Sequence, residues 1–64
     1  MNARWQLTPR QLQVLELVSR GKSNSEVAEE LEISERTVEV HVTAIFVRSK
    51  CHSRTELIAT VWAA

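Results

Sequence analysis

The sequence predicts a compact all-α domain of four helices that contains a helix-turn-helix, with helices at about 9–20, 24–31, 35–49 and 54–62. Three observations predict this fold: helix-start signals recur along the chain, apolar residues follow them at three- and four-residue spacing, and only one glycine and one proline are present. The valine-rich stretch 38–42 suggests a strand, but strands would need more turn residues than the chain contains.

The first helix has signals at both ends. Thr8 suits the N-cap, Pro9 the first helical position, and Gln11 can return a capping-box hydrogen bond. Gly21 supplies the left-handed residue that ends the helix. The apolar positions between these ends are expected to face the core: Leu12, Val14, Leu15, Leu17 and Val18.

The second helix is short and leads directly into the third. Ser23 and Glu26 form a second capping box, and about two helical turns follow. Ile33 is expected to enter the core and Ser34 to cap the third helix. The inward stripe of the third helix is Val38, Val42 and Ile45. The residues that point elsewhere are Arg36, Glu39, Val40 and Thr43.

The fourth helix starts with a third capping box, Ser53 with Glu56. Its wide apolar face comprises Leu57, Ile58, Val61 and Trp62. Trp5 is expected to lie in the core or an interface, and His41 to be a half-buried structural residue between helices.

Length and charge limit the possible functions. The 64 residues suffice for one domain over 1–64, in which 1–6 are expected to be loosely held. The formal net charge of zero argues against indiscriminate nucleic-acid binding, which depends on neutralising phosphates. Acidic residues fill the middle of the chain and basic residues flank them, so folding can separate the two signs, although a solvated surface is the plainer interpretation.

Several classes of protein are disfavoured. The single cysteine, Cys51, cannot form an internal disulfide and has no partners at metal-ligand spacing, so we expect a small packing residue, no cofactor and no metal. No apolar run is long enough for a membrane span and no signal core follows Met1, so a cytoplasmic protein is expected. Nothing assembles a nucleophile, a base and oxyanion donors, so we do not expect an enzyme.

A short helix, a turn of three or four residues and a longer helix with a polar outward stripe are typical of DNA-binding helix-turn-helix domains. The residues that sharpen this interpretation are Leu7-Thr8-Pro9-Arg10, Val14-Leu15, Gly21, Ser23-Asn24, Val27-Ala28, Leu31, Ile33-Ser34, Thr37-Val38, His41-Val42, Ile45 and Ser53-Arg54. With this pattern, positions 7–61 resemble the LuxR-type, or GerE-like, helix-turn-helix family. The resemblance implies a DNA-binding, transcription-regulating dimer, often the output half of a response regulator or quorum sensor.

The resemblance also implies site residues. The helix-turn-helix would span 24–43, the base-reading positions fall at Glu39, Val40 and Thr43, and the positions that commonly contact phosphate fall at Lys22, Thr37 and Arg48. Independently of the family, Val40 can pack on a thymine methyl, Thr43 can bond a base edge or phosphate, and Glu39 can accept from a cytosine amino group. Arg36 can reach guanine or phosphate. The plainer interpretation leaves the polar side chains solvated and Val40 against the second helix.

The expected partners are double-stranded DNA, a second copy of the chain and an upstream receiver or ligand-sensing domain. The candidate dimer surface is the face of Leu57, Ile58, Val61 and Trp62, which alternatively closes the monomer core. A second function is a helical protein-interaction module or anti-activator that retains the fold without binding DNA, which zero net charge and Glu39 favour.

Four positions depart from the family pattern. Ala44, Ser49 and Lys50 stand where the family usually has Asn, Leu and Gly, and Glu39 stands where many members carry a basic or neutral residue. We expect the Ser49 hydroxyl at a core position and a different end to the third helix, at a cost in stability of about 1 kcal/mol or more. The charge of Glu39 is expected to lower affinity for DNA.

Overall fold

The structure is a computed structural model in which residues 5–63 are described. Within that range the chain forms four α-helices: α1 Pro9–Ser19, α2 Asn24–Leu31, α3 Glu35–Ser49 and α4 Arg54–Ala63. The all-α prediction is confirmed, and each helix begins and ends within one residue of its predicted bounds. A turn of three residues separates α2 from α3, as a helix-turn-helix requires.

The predicted caps start the first three helices. The Thr8 hydroxyl accepts the Gln11 backbone N–H at 3.1 Å, and the Gln11 side chain accepts the Thr8 N–H at 3.0 Å. Ser23 and Glu26 exchange the same pair of bonds at 3.2 and 2.9 Å. The Ser34 hydroxyl accepts a backbone N–H of the first turn of α3 at 3.0 Å. Short side chains therefore satisfy N–H groups that a helix start leaves without partners.

The third predicted capping box forms only in part. The Ser53 hydroxyl accepts the Glu56 N–H at 3.0 Å, as predicted. The Glu56 carboxylate accepts the N–H of His52, also at 3.0 Å, and not that of Ser53. The Glu56 carboxylate therefore bonds the backbone of His52, the residue before the N-cap, and not the N-cap itself.

The end of α1 follows its prediction. Gly21 has a φ of 87°, the left-handed region that glycine adopts without steric cost. Its N–H donates to the Val18 carbonyl at 2.9 Å, and the Lys22 N–H donates to the Leu17 carbonyl at 3.2 Å. These two bonds are the Schellman pattern of a helix end.

α3 ends at Ser49, so the different end expected for this helix is wrong, whereas the expected cost in stability stays a prediction. Lys50 adopts the left-handed conformation itself, with a φ of 61°, and its N–H donates to the Phe46 carbonyl at 2.9 Å. The Ser49 hydroxyl does not occupy the core: this half-buried residue donates to the Phe46 carbonyl at 3.5 Å and accepts the Cys51 N–H at 3.3 Å. A lysine therefore ends the helix where the family has glycine, in a backbone conformation that is costly for any residue with a Cβ.

One hydrophobic core joins the four helices. Its members are buried apolar side chains: Trp5, Leu7, Val14, Leu15, Leu17, Val18, Val27, Ala28, Val38, Val42, Ile45 and Leu57. α1 packs against the other three helices, and α3 packs against α1 and α2. This arrangement buries one side of α3 and leaves the opposite side at the surface.

The N-terminal prediction needs a correction. Residues 1–4, which were expected to be loose, lie outside the described residues. Trp5 is only 7% exposed and belongs to the core, which confirms the core position predicted for it. The expectation that residues 1–6 are loosely held is therefore wrong at Trp5. Burying so large an aromatic surface contributes substantially to a small core.

Candidate nucleic-acid interface

The two sides of α3 differ as the periodicity predicts. Val38 and Ile45 are 0% exposed, whereas Val40 is 55% exposed. The predicted outward residues share that exposed side and line a single shallow concavity: Arg36, Glu39, Val40 and Thr43. These four residues are called the outward stripe below.

The length of the outward stripe along the helix axis matches a few base-pair steps of DNA. At about 1.5 Å of rise per residue, positions 36 to 43 extend over roughly 10 Å of helix axis. Base pairs in B-DNA are about 3.4 Å apart, so the stripe matches about three base-pair steps. It combines a cation, an anion, a hydroxyl and an apolar branch, and each of these groups has a complementary base edge in the major groove.

An ion pair within the stripe was missed from the sequence. Arg36 Nη1 lies 3.5 Å from Glu39 Oε1, and these side chains are 84% and 53% exposed. The spacing of three residues on one helix is a signal that would have predicted the pair. Such an exposed pair adds little stability, so both side chains are free to exchange it for a ligand. It also partly neutralises the charge that was expected to oppose DNA.

Val47 is a second residue that the sequence interpretation left out. It lies seven positions after Val40, which places it on the same side of α3 about two turns further on. Its side chain is 70% exposed. The exposed side of α3 therefore carries a second exposed valine beyond Thr43, toward the end of the helix.

The three predicted phosphate positions lie in different settings. Thr37 is exposed at the start of α3, where its hydroxyl is 2.9 Å from that of Ser34. Arg48 is exposed in the last turn of the same helix. Lys22 is half-buried in the loop before α2. They therefore lie near the two ends of α3 and in the loop before α2.

Side chains of α4 donate hydrogen bonds to the end of α1, to the loop that follows it and to the first residue of α2. Arg54 Nη1 donates to Asn24 Oδ1 at 2.7 Å, and Nη2 donates to the Lys22 carbonyl at 2.6 Å. Trp62 Nε1 donates to the Ser19 carbonyl at 2.8 Å. The sequence carries no local signal for these bonds, because their partners are 30 to 43 positions apart.

The candidate dimer face on α4 is smaller than predicted. Leu57 is 1% exposed and belongs to the monomer core, so it has almost no surface to offer a second chain. Ile58 and Val61 are partly buried against that core. Trp62 is 69% exposed despite its hydrogen bond to Ser19.

His41 and Cys51 both lie where the sequence predicts. His41 is half-buried, as predicted. Cys51 is half-buried against the core, with Sγ 3.8 Å from Thr60 Oγ1, which confirms its packing role.

Ser23, through its backbone N–H and its hydroxyl, lowers the pKa of Glu26 below its ordinary value, and the charge of Lys22 adds to this effect. The cause is that both bonds favour the charged carboxylate.

Among residues 5–63, no helix combines the length and the apolar character needed to cross a membrane. The fold, the three-residue turn and the exposed side of α3 define a helix-turn-helix domain of the DNA-binding type. Comparison with protein families matches residues 5–61 to GerE, described as "Bacterial regulatory proteins, luxR family". The chain belongs to the luxR family, which confirms the predicted resemblance and the class of DNA-binding transcriptional regulator.

Comparison with curated proteins gives relatives of the same kind. The chain is 47% identical over 51 residues to "Response regulator Rre1" of Synechocystis, covering 80% of the chain and 22% of that protein. It is 44% identical over 57 residues to "Nitrate/nitrite response regulator protein NarL" of Escherichia coli, covering 89% and 26%. It is 40% identical over 52 residues to "Transcriptional regulatory protein ComA" of Bacillus subtilis, covering 81% and 24%. The chain thus spans about a quarter of the length of these relatives. No solved structure gave a significant match.

Proposed function

We propose that this chain is the sequence-specific DNA-binding output domain of a bacterial transcriptional regulator, and that α3 enters the major groove with the outward stripe against base edges. The observation that carries this proposal is the exposure of Val40, which is 55% on a helix whose opposite side is fully buried. An exposed valine between polar side chains contributes little to folding, whereas in a groove it can pack on a thymine methyl.

The role of each residue follows from its chemistry. Val40 contacts a thymine methyl, Thr43 bonds a base edge or phosphate, and Glu39 accepts from a cytosine amino group. Arg36 is freed from Glu39 on binding and reaches guanine or phosphate. Contacts from Lys22, Thr37 and Arg48 to phosphates set the register of the domain on the duplex.

The double variant Val40→Ala with Thr43→Ala tests this proposal. Because a good base contact gives about 1–3 kcal/mol of discrimination, specific affinity should fall by at least about tenfold. Binding to nonspecific duplex should remain, since the phosphate-contacting residues are untouched. The measurement is fluorescence anisotropy with a duplex recovered from a random pool by the wild-type chain.

A matched control is Thr55→Ala, which removes an exposed threonine of α4 outside the stripe. This variant should bind like the wild type. Unchanged affinity and base preference in the double variant would contradict the role of α3. Failure of the wild type to select any duplex, together with capture of a protein partner, would favour the interaction module or anti-activator.

We also propose that the chain binds DNA as a homodimer through Ile58, Val61 and Trp62. One recognition helix reads only a few base pairs, so two half-sites are needed for specificity at physiological salt. The exposed ring of Trp62 is the main apolar surface of α4 available to a second copy. Sedimentation on a duplex with two half-sites should give two chains per duplex, and a strict one-to-one complex would contradict the dimer.

The relatives favour a longer protein around this domain. Two of them are named response regulators, and the aligned regions cover about a quarter of their length. We therefore propose that the chain works in the cytoplasm with a receiver or ligand-sensing domain that controls access to DNA. The domain itself supplies DNA recognition and no catalysis.

A further inference from the structure

Helix α4 is hydrogen-bonded to the segment that joins α1 to α2, including the end residue of each helix. Within residues 5–63, the side-chain hydrogen bonds that join residues far apart in sequence all start on α4: two from Arg54 and one from Trp62. All three end on residues 19–24, which are called the α1–α2 connection below. This segment contains Lys22, one of the proposed phosphate contacts.

The two bonds of Arg54 enclose the start of α2. The guanidinium donates from one nitrogen to the Lys22 carbonyl at 2.6 Å and from the other to the Asn24 side chain at 2.7 Å. These acceptors lie on either side of Ser23, the N-cap of α2. Hydrogen bonds from a charged donor are stronger than neutral ones, and the planar fork fixes their direction. The backbone of Lys22 is therefore held from α4 as well as by the end of α1.

A fixed backbone matters for a lysine that binds phosphate. The ammonium group stands on a flexible four-carbon stem, and immobilising it on a phosphate costs conformational entropy. Anchoring the Lys22 carbonyl restricts where the stem begins, so fewer conformations are lost on binding. Arg54 is unsuited to bind phosphate itself, because it is half-buried and both terminal nitrogens already donate to protein oxygens.

We propose that Arg54 is a positioning residue for DNA binding, which holds the α1–α2 connection so that the Lys22 ammonium meets a backbone phosphate. This inference rests on the proposed function, and it adds a residue of α4 to the DNA-binding machinery. It also links the helix proposed to pair two subunits with a phosphate contact.

The test is a cycle of Lys22→Ala, Arg54→Lys and the double variant, read out as the slope of log affinity against log salt concentration. Loss of one phosphate contact reduces the magnitude of that slope by about 0.9 for duplex DNA. Lys22→Ala should show this reduction. Arg54→Lys keeps the charge but loses the fork, so it should show a similar reduction. The double variant should show no further change beyond Lys22→Ala.

Arg10→Lys is the matched control, because it makes the same substitution at an exposed residue in the first turn of α1. Its slope should equal that of the wild type. A further loss of slope in the double variant would show that Arg54 acts independently of Lys22 and would overturn the inference. An unchanged slope for Arg54→Lys, with only lower thermal stability, would assign it a purely structural role and overturn it as well.

Two further measurements distinguish failure of this inference from misfolding and from failure of the proposed function. If Arg54→Lys lowers the folded fraction measured by circular dichroism, Asn24→Ala takes the place of Arg54→Lys in the cycle, because it removes one of the two acceptors of Arg54. A reduced slope for Asn24→Ala that vanishes in the Lys22→Ala background supports the inference, and an unchanged slope overturns it. If the wild type binds no duplex at all, the proposed function itself is wrong and this inference is lost with it.

Discussion

The two sides of α3 share one backbone but serve different purposes. The inward side consists of apolar side chains that are almost completely buried: Val38, Val42 and Ile45. The outward side carries Arg36 and Glu39, whose ion pair is exposed, and Val40, which is more than half exposed. Stability therefore depends on the inward side, and the proposed recognition of DNA depends on the outward side.

The difference between the two sides allows a chain of 64 residues to fold and still present a surface for the proposed DNA recognition. A small domain buries a limited fraction of its surface, so its few core positions contribute most of its stability. Substitutions on the opposite side of the helix cost little stability. If the outward stripe contacts bases as proposed, substitutions there can change the base preference while the inward side keeps the helix packed.

The largest expected effect is that of Ile45→Ala on the inward side. Removing a fully buried side chain of this kind leaves a cavity and lowers the free energy of unfolding by about 2–5 kcal/mol. Urea denaturation monitored by circular dichroism measures the loss. The control is Val47→Ala on the exposed side of the same helix, which should change stability by no more than about 0.5 kcal/mol. Equal losses in the two variants would contradict the division between the two sides.

The next largest effect is a change in base preference caused by Glu39→Gln on the outward side. A glutamate prefers the cytosine amino group, whereas a glutamine can bond both edge groups of adenine, so the preferred base should change from cytosine to adenine. The variant should favour adenine over cytosine by about 1–3 kcal/mol of binding free energy, measured by competition among duplexes that differ at one position. Glu35→Gln removes the same charge from the first turn of α3 outside the stripe and should keep the original preference. The same preference in both variants would mean that Glu39 does not read a base.

A smaller effect is expected at the boundary of α3, from Lys50→Gly. Lys50 has a φ of 61°, where glycine avoids the clash of a Cβ, although glycine also gains entropy in the unfolded chain. The net gain in free energy of unfolding should be at most about 1 kcal/mol. Thermal unfolding measures it, and the base preference of the folded domain should be unchanged. A loss of stability would show that the lysine side chain contributes contacts that outweigh its backbone strain.

The smallest effect is the pH dependence that comes from Glu26 in α2. Its pKa is lowered in the folded protein, so its contribution to stability is present above the unfolded pKa and is lost as the pH falls through the folded value. The unfolded pKa of a glutamate is about 4.3, so the loss should begin once the pH falls below that value. In Glu26→Gln the glutamine can still form the capping box but carries no charge. The stability of this variant should fall less between neutral and acid pH than that of the wild type. Parallel losses in the two proteins would contradict the role of the Ser23 bonds.

Much of the fold was predictable because its signals are local. The capping residues Thr8, Ser23 and Ser34 act within three positions of their partners, and the alternation of buried and exposed residues along α3 follows from helix geometry. The outward stripe was predictable for the same reason. The last residue of α3 was predicted, but the left-handed conformation of Lys50 was not, because the preference for glycine is statistical and a lysine can adopt the same backbone conformation.

The four helices, their inward sides and the family of the chain could all be predicted, since they depend on residue types at short spacings. The burial of Leu57, the exposure of Trp62 and the hydrogen bonds from Arg54 to Lys22 and Asn24 could not be predicted in this way. Periodicity predicts an apolar face, but how much of that face another helix covers depends on packing. Hydrogen bonds between residues 30 or more positions apart exist only after that packing has brought them together.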